Sequence, residues 1–241
     1  MKGTVRPNEV VLSIEKFQHQ KAVNIAAPGS YTIPNWYDCE GRPRTFACRT
    51  RRVSPFRMTV DVPVIGKLGS YITTYFPDFG KLEGIIDDRT GGGFLLELIK
   101  MDPAMRQKMA DKLTWLQAKK NEPAVTDQRR NARIVPIDPH SILTFGDGTT
   151  CSCFVIDMSI DGVAVSAEVQ PDIGTPLAVG VCVGRVVRLL PNGFAVRFEK
   201  PQVQKHLNQL VTRSTVAKGA ATVLNEALAE ISPDSSTCFL V

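Results

Sequence analysis

The feature that most constrains this chain is that it repeats itself. Gly80, Gly84, Gly93 and Phe94 recur one hundred positions later as Gly180, Gly184, Gly193 and Phe194. The segments between them match in pattern. Lys81-Leu82-Glu83-Gly84-Ile85-Ile86 parallels Val181-Cys182-Val183-Gly184-Arg185-Val186, and Gly93-Phe94-Leu95-Leu96-Glu97-Leu98 parallels Gly193-Phe194-Ala195-Val196-Arg197-Phe198. Upstream the offset becomes 105, where Cys48 matches Cys153 and Ser54 matches Ser159. A run of matches in order, with one change of offset, describes two similar units that differ in a loop length. A chain of 241 residues is long enough for both to have a core.

Each unit reads as strands followed by a helix. Val155 to Val165, Val181 to Leu190 and Gly193 to Phe198 are rich in β-branched and apolar residues, with turn signals such as Pro191-Asn192-Gly193 between them. Short strands at this spacing predict a small antiparallel barrel, which closes its own sheet edges. Asp102-Pro103 sits where an N-cap and a first-turn proline belong, and Met105, Met109, Leu113 and Leu116 follow at helical spacing. Packing of this stripe on its barrel is the favoured reading, with a soft ligand surface as the other. Pro201 is expected to open the second helix, with Val203, Leu207, Leu210 and Val211 on one face. A further Ala-rich helix is expected from about Ala217 to Ile231. The polar stretch Ala118 to Arg133 reads as a linker, dividing the chain into domains 1–120 and 121–241.

Composition narrows the function classes. With 43% hydrophobic and 22% charged residues the chain is an ordinary globular protein, which excludes disorder. No apolar run is long enough for a membrane helix and no signal-peptide core is present, so a cytoplasmic protein without membrane insertion is expected. The net charge of +5 permits an anionic partner without demanding one. Cys39, Cys48, Cys151, Cys153, Cys182 and Cys238 have no metal-binding spacing and read as reduced thiols. His19, His140 and His206 are isolated, and Gly91-Gly92-Gly93 lacks the Lys-Ser or Lys-Thr of a phosphate loop. No catalytic residue, metal or cofactor is expected, and the chain is not read as an enzyme.

Two stretches of the second unit carry chemistry. Arg129-Arg130-Asn131-Ala132-Arg133 frames an RxxxR spacing in the linker. Guanidinium groups bind phosphate bidentately, stack on purines and pair with guanine O6 and N7; a solvated basic linker is the plainer use. Asp157-Met158-Ser159-Ile160-Asp161-Gly162 closes a strong apolar strand. Asp157 and Ser159, two apart, share one face, with Met158 and Ile160 on the core face. A carboxylate and a hydroxyl together can accept from guanine N–H groups or orient an arginine, and Gly162 permits close backbone approach. Alone, such a DxSxxG is a capped turn.

Together, RxxxR, about 25 residues of hairpin, and strand-DxSxxG in a small barrel resemble the PilZ domain family over residues 128 to 200. The resemblance implies a mainly β protein of two tandem six-stranded antiparallel barrels, each followed by a helix, plus a C-terminal helix. It also implies a ligand, the bacterial second messenger cyclic dimeric GMP (c-di-GMP). Arg129 and Arg133 would clamp phosphate and guanine, Asp157, Ser159 and Gly162 would hold the guanine, and Gln128 and Arg130 would flank the clamp. Many relatives that bind an intercalated ligand dimer carry a further basic residue before the first motif arginine; Gln128 leaves one or two ligands per domain open. In the first unit, aligning Ser54 on Ser159 puts Arg52 at the motif Asp and Arg57 at the motif Gly, and nothing like RxxxR precedes them. That barrel reads as a degenerate partner module with a structural or protein-contact role. The expected function is a c-di-GMP receptor that changes inter-domain arrangement on binding. It would regulate motility, exopolysaccharide or adhesion through a protein partner. The alternative is a scaffold, or a module that binds nucleic acid or protein without the nucleotide. Few aromatics, of which Phe145, Phe154, Phe194 and Phe198 read as barrel interior, and no basic-aromatic interleaving around Arg129 count against nucleic acid.

Overall fold

The computed structural model describes residues 22–38, 40–119 and 133–212, in two compact units, 1–125 and 126–241. In the first, strands β1 (Pro28–Tyr37), β2 (Pro43–Val53), β3 (Arg57–Asp61), β4 (Tyr71–Phe76), β5 (Gly80–Thr90) and β6 (Gly93–Ile99) form a closed barrel in the order β1-β2-β3-β6-β5-β4. Helix α1 (Pro103–Lys119) follows. In the second, β7 (His140–Phe145), β8 (Thr150–Ser159), β9 (Gly162–Ala167), β10 (Pro176–Val179), β11 (Cys182–Leu190) and β12 (Gly193–Phe198) close in the equivalent order, and helix α2 (Leu207–Val211) follows. All pairings are antiparallel. The fold is mainly β, with two six-stranded barrels.

The repeat seen in the sequence is a repeat of backbone geometry. An added Cβ at Gly93 would lie 1.8 Å from the Val60 carbonyl oxygen, and at Gly193 2.0 Å from that of Val165. Both glycines are required because the neighbouring strand passes where a side chain would begin. The β5–β6 register skips a residue between Ile86 and Asp88, and the β11–β12 register between Val186 and Arg188.

The cores differ in filling. The first is built around Tyr31, Phe46 and Phe94, whose rings approach to 5.6 and 5.8 Å. The Tyr31 hydroxyl donates to the Val64 carbonyl at 2.6 Å, and burial pushes its pKa well up. The second is mostly aliphatic, with Phe194 and Phe198 inside. Phe154 is not part of that core, contrary to expectation. It is buried on the other face of β8, edge-on to His140 at 6.3 Å. Cys48, Cys153 and Cys182 are buried free thiols and Cys151 is half-buried; burial raises all four pKa values, that of Cys182 to about 11.

Asp102 caps α1 as expected, its carboxylate accepting from the Met105 N–H at 2.7 Å. The apolar stripe divides: Met109 and Leu113 join the core while Met105 is 42% exposed. The second helix begins at Leu207, not Pro201, and Val203 is 61% exposed. The Gln202 N–H donates to the Ile160 carbonyl at 2.7 Å, which holds Gln202 against the β8–β9 turn, and a turn over residues 204–206 leads into the helix. Leu207 and Val211 are fully buried, as the pattern implied. The expected helix at 217–231 lies outside the described residues.

Candidate ligand site

Strand β8 owes its outward chemistry to an extra residue. Val155 pairs with Val165 and Asp157 with Ala164, so Ile156 is a bulge. Cys153 and Val155 face the core, and strict alternation would send Asp157 inward after them. The bulge reverses the phase: Met158 is fully buried in the core and Asp157 and Ser159 face outward, half-buried. Ile160, expected on the core side, lies half-buried in the turn that joins β8 to β9.

That turn is pinned from behind. The Phe198 N–H donates to the Asp161 carbonyl at 2.9 Å, beside the Gln202 contact to Ile160. A Cβ at Gly162 would meet the Val196 carbonyl oxygen at 2.4 Å, so the motif glycine is first of all a close approach of β9 to β12. The Ser159 hydroxyl lies 3.5 Å from the Gly162 carbonyl oxygen, a long contact.

The chain entering the second barrel is laid against this strand. Ile134 and Met158 exchange backbone hydrogen bonds of 2.8 and 2.9 Å, an isolated antiparallel bridge. It sets Arg133 beside the motif, and Arg133 Nη1 donates to Asp157 Oδ2 at 2.7 Å. The two side chains are 40% and 24% exposed. A charge-assisted bond this short fixes the guanidinium while leaving it open to solvent and to a ligand. Arg133, Asp157, Ser159 and Gly162 are thus gathered at one end of the barrel; Gln128, Arg129 and Arg130 lie outside the described residues. Sequence reasoning missed Ile134 as the residue that places Arg133. Its signal was an apolar residue directly after the last linker arginine, matched by Val23, which bridges Val53 in the first unit.

The equivalent end of the first barrel has other chemistry. Thr50 pairs with Val60 and Arg52 with Thr59, so Arg51 is the bulged residue and Arg52 stands at the Asp157 position. Ser54 Oγ accepts from the Arg57 N–H and donates to the Arg57 carbonyl, both at 3.0 Å. Arg51 is held by the buried Asp61 at 2.6 Å, and Arg57 lies 3.7 Å from Asp87. Arg51 and Arg57 are therefore each tied to one of the barrel's own carboxylates.

Among the described residues no group of three His, Cys, Asp or Glu could hold a metal ion, and no helix is long and apolar enough to cross a membrane. Residues 127–213 match the model of the PilZ domain. No curated protein matches the chain. Among solved structures the chain is similar to Borreliella burgdorferi PlzA in complex with c-di-GMP, at 12% identity, covering 85% of this chain and 97% of that one, TM-score 0.26. Bacillus subtilis inhibitor of motility (MotI/DgrA) follows at 11% identity, 86% and 97% coverage and TM-score 0.25. Escherichia coli YcgR in complex with c-di-GMP has 10% identity, 95% coverage of both chains and TM-score 0.22.

Proposed function

We propose that this protein is a c-di-GMP receptor whose ligand binds at the end of the second barrel, between the linker arginines and the β8–β9 turn. The observation that carries this is the 2.7 Å Arg133–Asp157 ion pair, which joins the second arginine of RxxxR to the first residue of DxSxxG across 24 positions of chain. The PilZ match over 127–213 encloses every residue assigned a role. Arg133 and Arg129 clamp phosphate and guanine. Asp157 and Ser159 accept from guanine N–H groups, and Gly162 lets the backbone come close. Gln128 and Arg130 flank the clamp. The +2 charge of the two clamp arginines complements a ligand with two phosphodiesters.

The clamp lies in the segment that starts the second unit at Thr126, just past the division between the units. Closing the clamp on ligand holds Arg129 and Arg133 together against the second barrel and so selects one arrangement of the barrels. This requires only that ligand bind the closed arrangement more tightly than the open one. The output is control of motility, exopolysaccharide or adhesion through a protein partner.

Isothermal titration of c-di-GMP into the full chain, beside an Arg129→Ala, Arg133→Ala double variant, tests this. Binding to the wild type that is lost in the variant is the expected result, and the same titration counts the ligands. No heat from folded wild type would make the chain a PilZ-shaped scaffold for protein partners.

A further inference from the structure

Helix α1 leaves a groove beside the first barrel, with an apolar floor and a charged rim. Two adjoining hollows of about 240 Å³ each share Leu82, Met101 and Met105. One extends over Phe79 and Met109, the other over Ile99. The floor is therefore aliphatic, thioether and aromatic, and Met105 reaches it while 42% exposed.

The rim is cationic. Lys81, Lys100, Lys108 and Lys112 stand around the two hollows against only Asp78 and Glu83. Both carboxylates already have lysine partners: Glu83 is 3.1 Å from Lys81 and 2.9 Å from Lys100, and Asp78 is 3.5 Å from Lys112. Four lysines against two acids leave the rim with an excess of two positive charges. The same character runs on along the helix, where Trp115 is 50% exposed with Lys112 and Lys119 over its ring at 4.4 and 4.9 Å. Asp111, turned away by the helical step from Lys112, is bonded to Gln107.

These features select among anionic partners. The rim holds ammonium groups and no guanidinium fork, so it offers point charges without bidentate phosphate geometry. The floor calls for alkyl or aromatic anchors, and methionine adapts its shape to such anchors. From Met105 to Lys119 the helix runs about 21 Å, the length of about four turns of a helix laid beside it. Apolar anchors at i, i+3, i+4 and i+7 with carboxylates on both flanks would fill the floor and meet the rim.

We propose that this groove docks an acidic amphipathic helix of a partner protein. The assignment is independent of the nucleotide site, since every residue in it belongs to the first unit. The test uses the full chain and two labelled peptides of about 16 residues, ~24 Å as helices. Both carry leucine at the anchor positions, one with glutamates and the other with lysines on the flanks, and binding is read by fluorescence anisotropy. The acidic peptide is expected to bind at least about tenfold more tightly than the basic one, a preference that weakens as salt rises. Met105→Asp, and separately the pair Lys108→Glu and Lys112→Glu, should each weaken it about tenfold or more while thermal unfolding of the protein is unchanged. The proposal is overturned by equal binding of the two peptides, by no binding of the acidic one, or by variants that bind like wild type. It is equally overturned if phosphatidylglycerol vesicles or single-stranded RNA bind more tightly than the acidic peptide and lose that binding in Met105→Asp.

Discussion

Val23 bridges Val53 in the first barrel as Ile134 bridges Met158 in the second, and each bridge lies next to a bulged residue, Arg51 in one and Ile156 in the other. From that shared backbone the side chains diverge. The second barrel presents Arg133, Asp157, Ser159 and Gly162; the first presents Ala22, Arg52, Ser54 and Arg57 at the corresponding places. The serine is kept, the carboxylate has become a cation and the glycine has become an arginine. The difference separates two layers of design. The entry bridge and the bulge are properties of the barrel, needed to close it and to keep Val53 and Met158 in their cores. The proposed ligand chemistry is a small set of outward side chains placed on top of them.

The strongest way to break this comparison is to remove the chemistry from each barrel in turn. Arg133→Ala should weaken c-di-GMP binding by about 100-fold or more, since a charge-assisted contact to phosphate contributes up to about 3 kcal/mol. Arg52→Ala should leave affinity within about twofold in the same titration. Loss in Arg52→Ala would move the receptor site to the first barrel.

The shared scaffold is tested by the paired glycines. Gly93→Ala and Gly193→Ala should each destabilise their own barrel by about 2–4 kcal/mol, because a methyl cannot share space with a strand carbonyl. Hydrogen exchange resolved by unit would read this, and sensitivity in one barrel alone would deny that the two are built alike. At the motif, ligand-free Gly162→Ala should cost about 1–3 kcal/mol through its clash with the Val196 carbonyl, whereas Arg57→Ala should stay within about 0.5 kcal/mol. Equal effects would remove the structural half of the explanation for Gly162.

The smallest effect concerns a cluster with no counterpart in the second barrel, where Val181 and Val183 replace Lys81 and Glu83. The Tyr71 hydroxyl, then Lys100 and Lys81, donate to the Glu83 carboxylate and lower its pKa to about 2. A depressed carboxylate pKa means that its stabilising contribution is complete above the ordinary Glu range and is lost as pH falls towards 2. Tyr71→Phe should raise the Glu83 midpoint in an NMR titration. An unchanged midpoint would assign the shift to the lysines alone.

Much of the fold was legible because it is written twice. The paired glycines announced the duplication, alternation announced the strands, and Asp102-Pro103 announced the start of α1. Of the motif strand, the outward pair Asp157 and Ser159 and the buried Met158 were legible from their spacing, whereas Ile160 was misplaced because the chain has already turned there. The bulge was harder to see. Its trace is a three-residue step between the core positions Val155 and Met158, which a pattern of period two absorbs unnoticed. Phe154 misled because an apolar residue beside a core strand can be buried on either face, and its cover, His140, comes from a neighbouring strand. Helix α2 starts late because a tertiary hydrogen bond from Gln202 to Ile160 outweighs what Pro201 suggests locally. Arg129 and Arg130 remain proposals from spacing, outside the described residues.

The bulge at Ile156 also decides how this motif can be edited. Exchanging one residue for another in β8 changes a contact, but deleting or inserting one changes parity. It would turn every residue downstream to the opposite face, sending Asp157 and Ser159 towards the core and Met158 into water. Moving the motif between barrels therefore means moving Ile156 through Gly162 as one block, together with the bridging residue of the entering chain. Transplanting the named motif letters alone carries the side chains, and the host's own bulge determines whether they face outward.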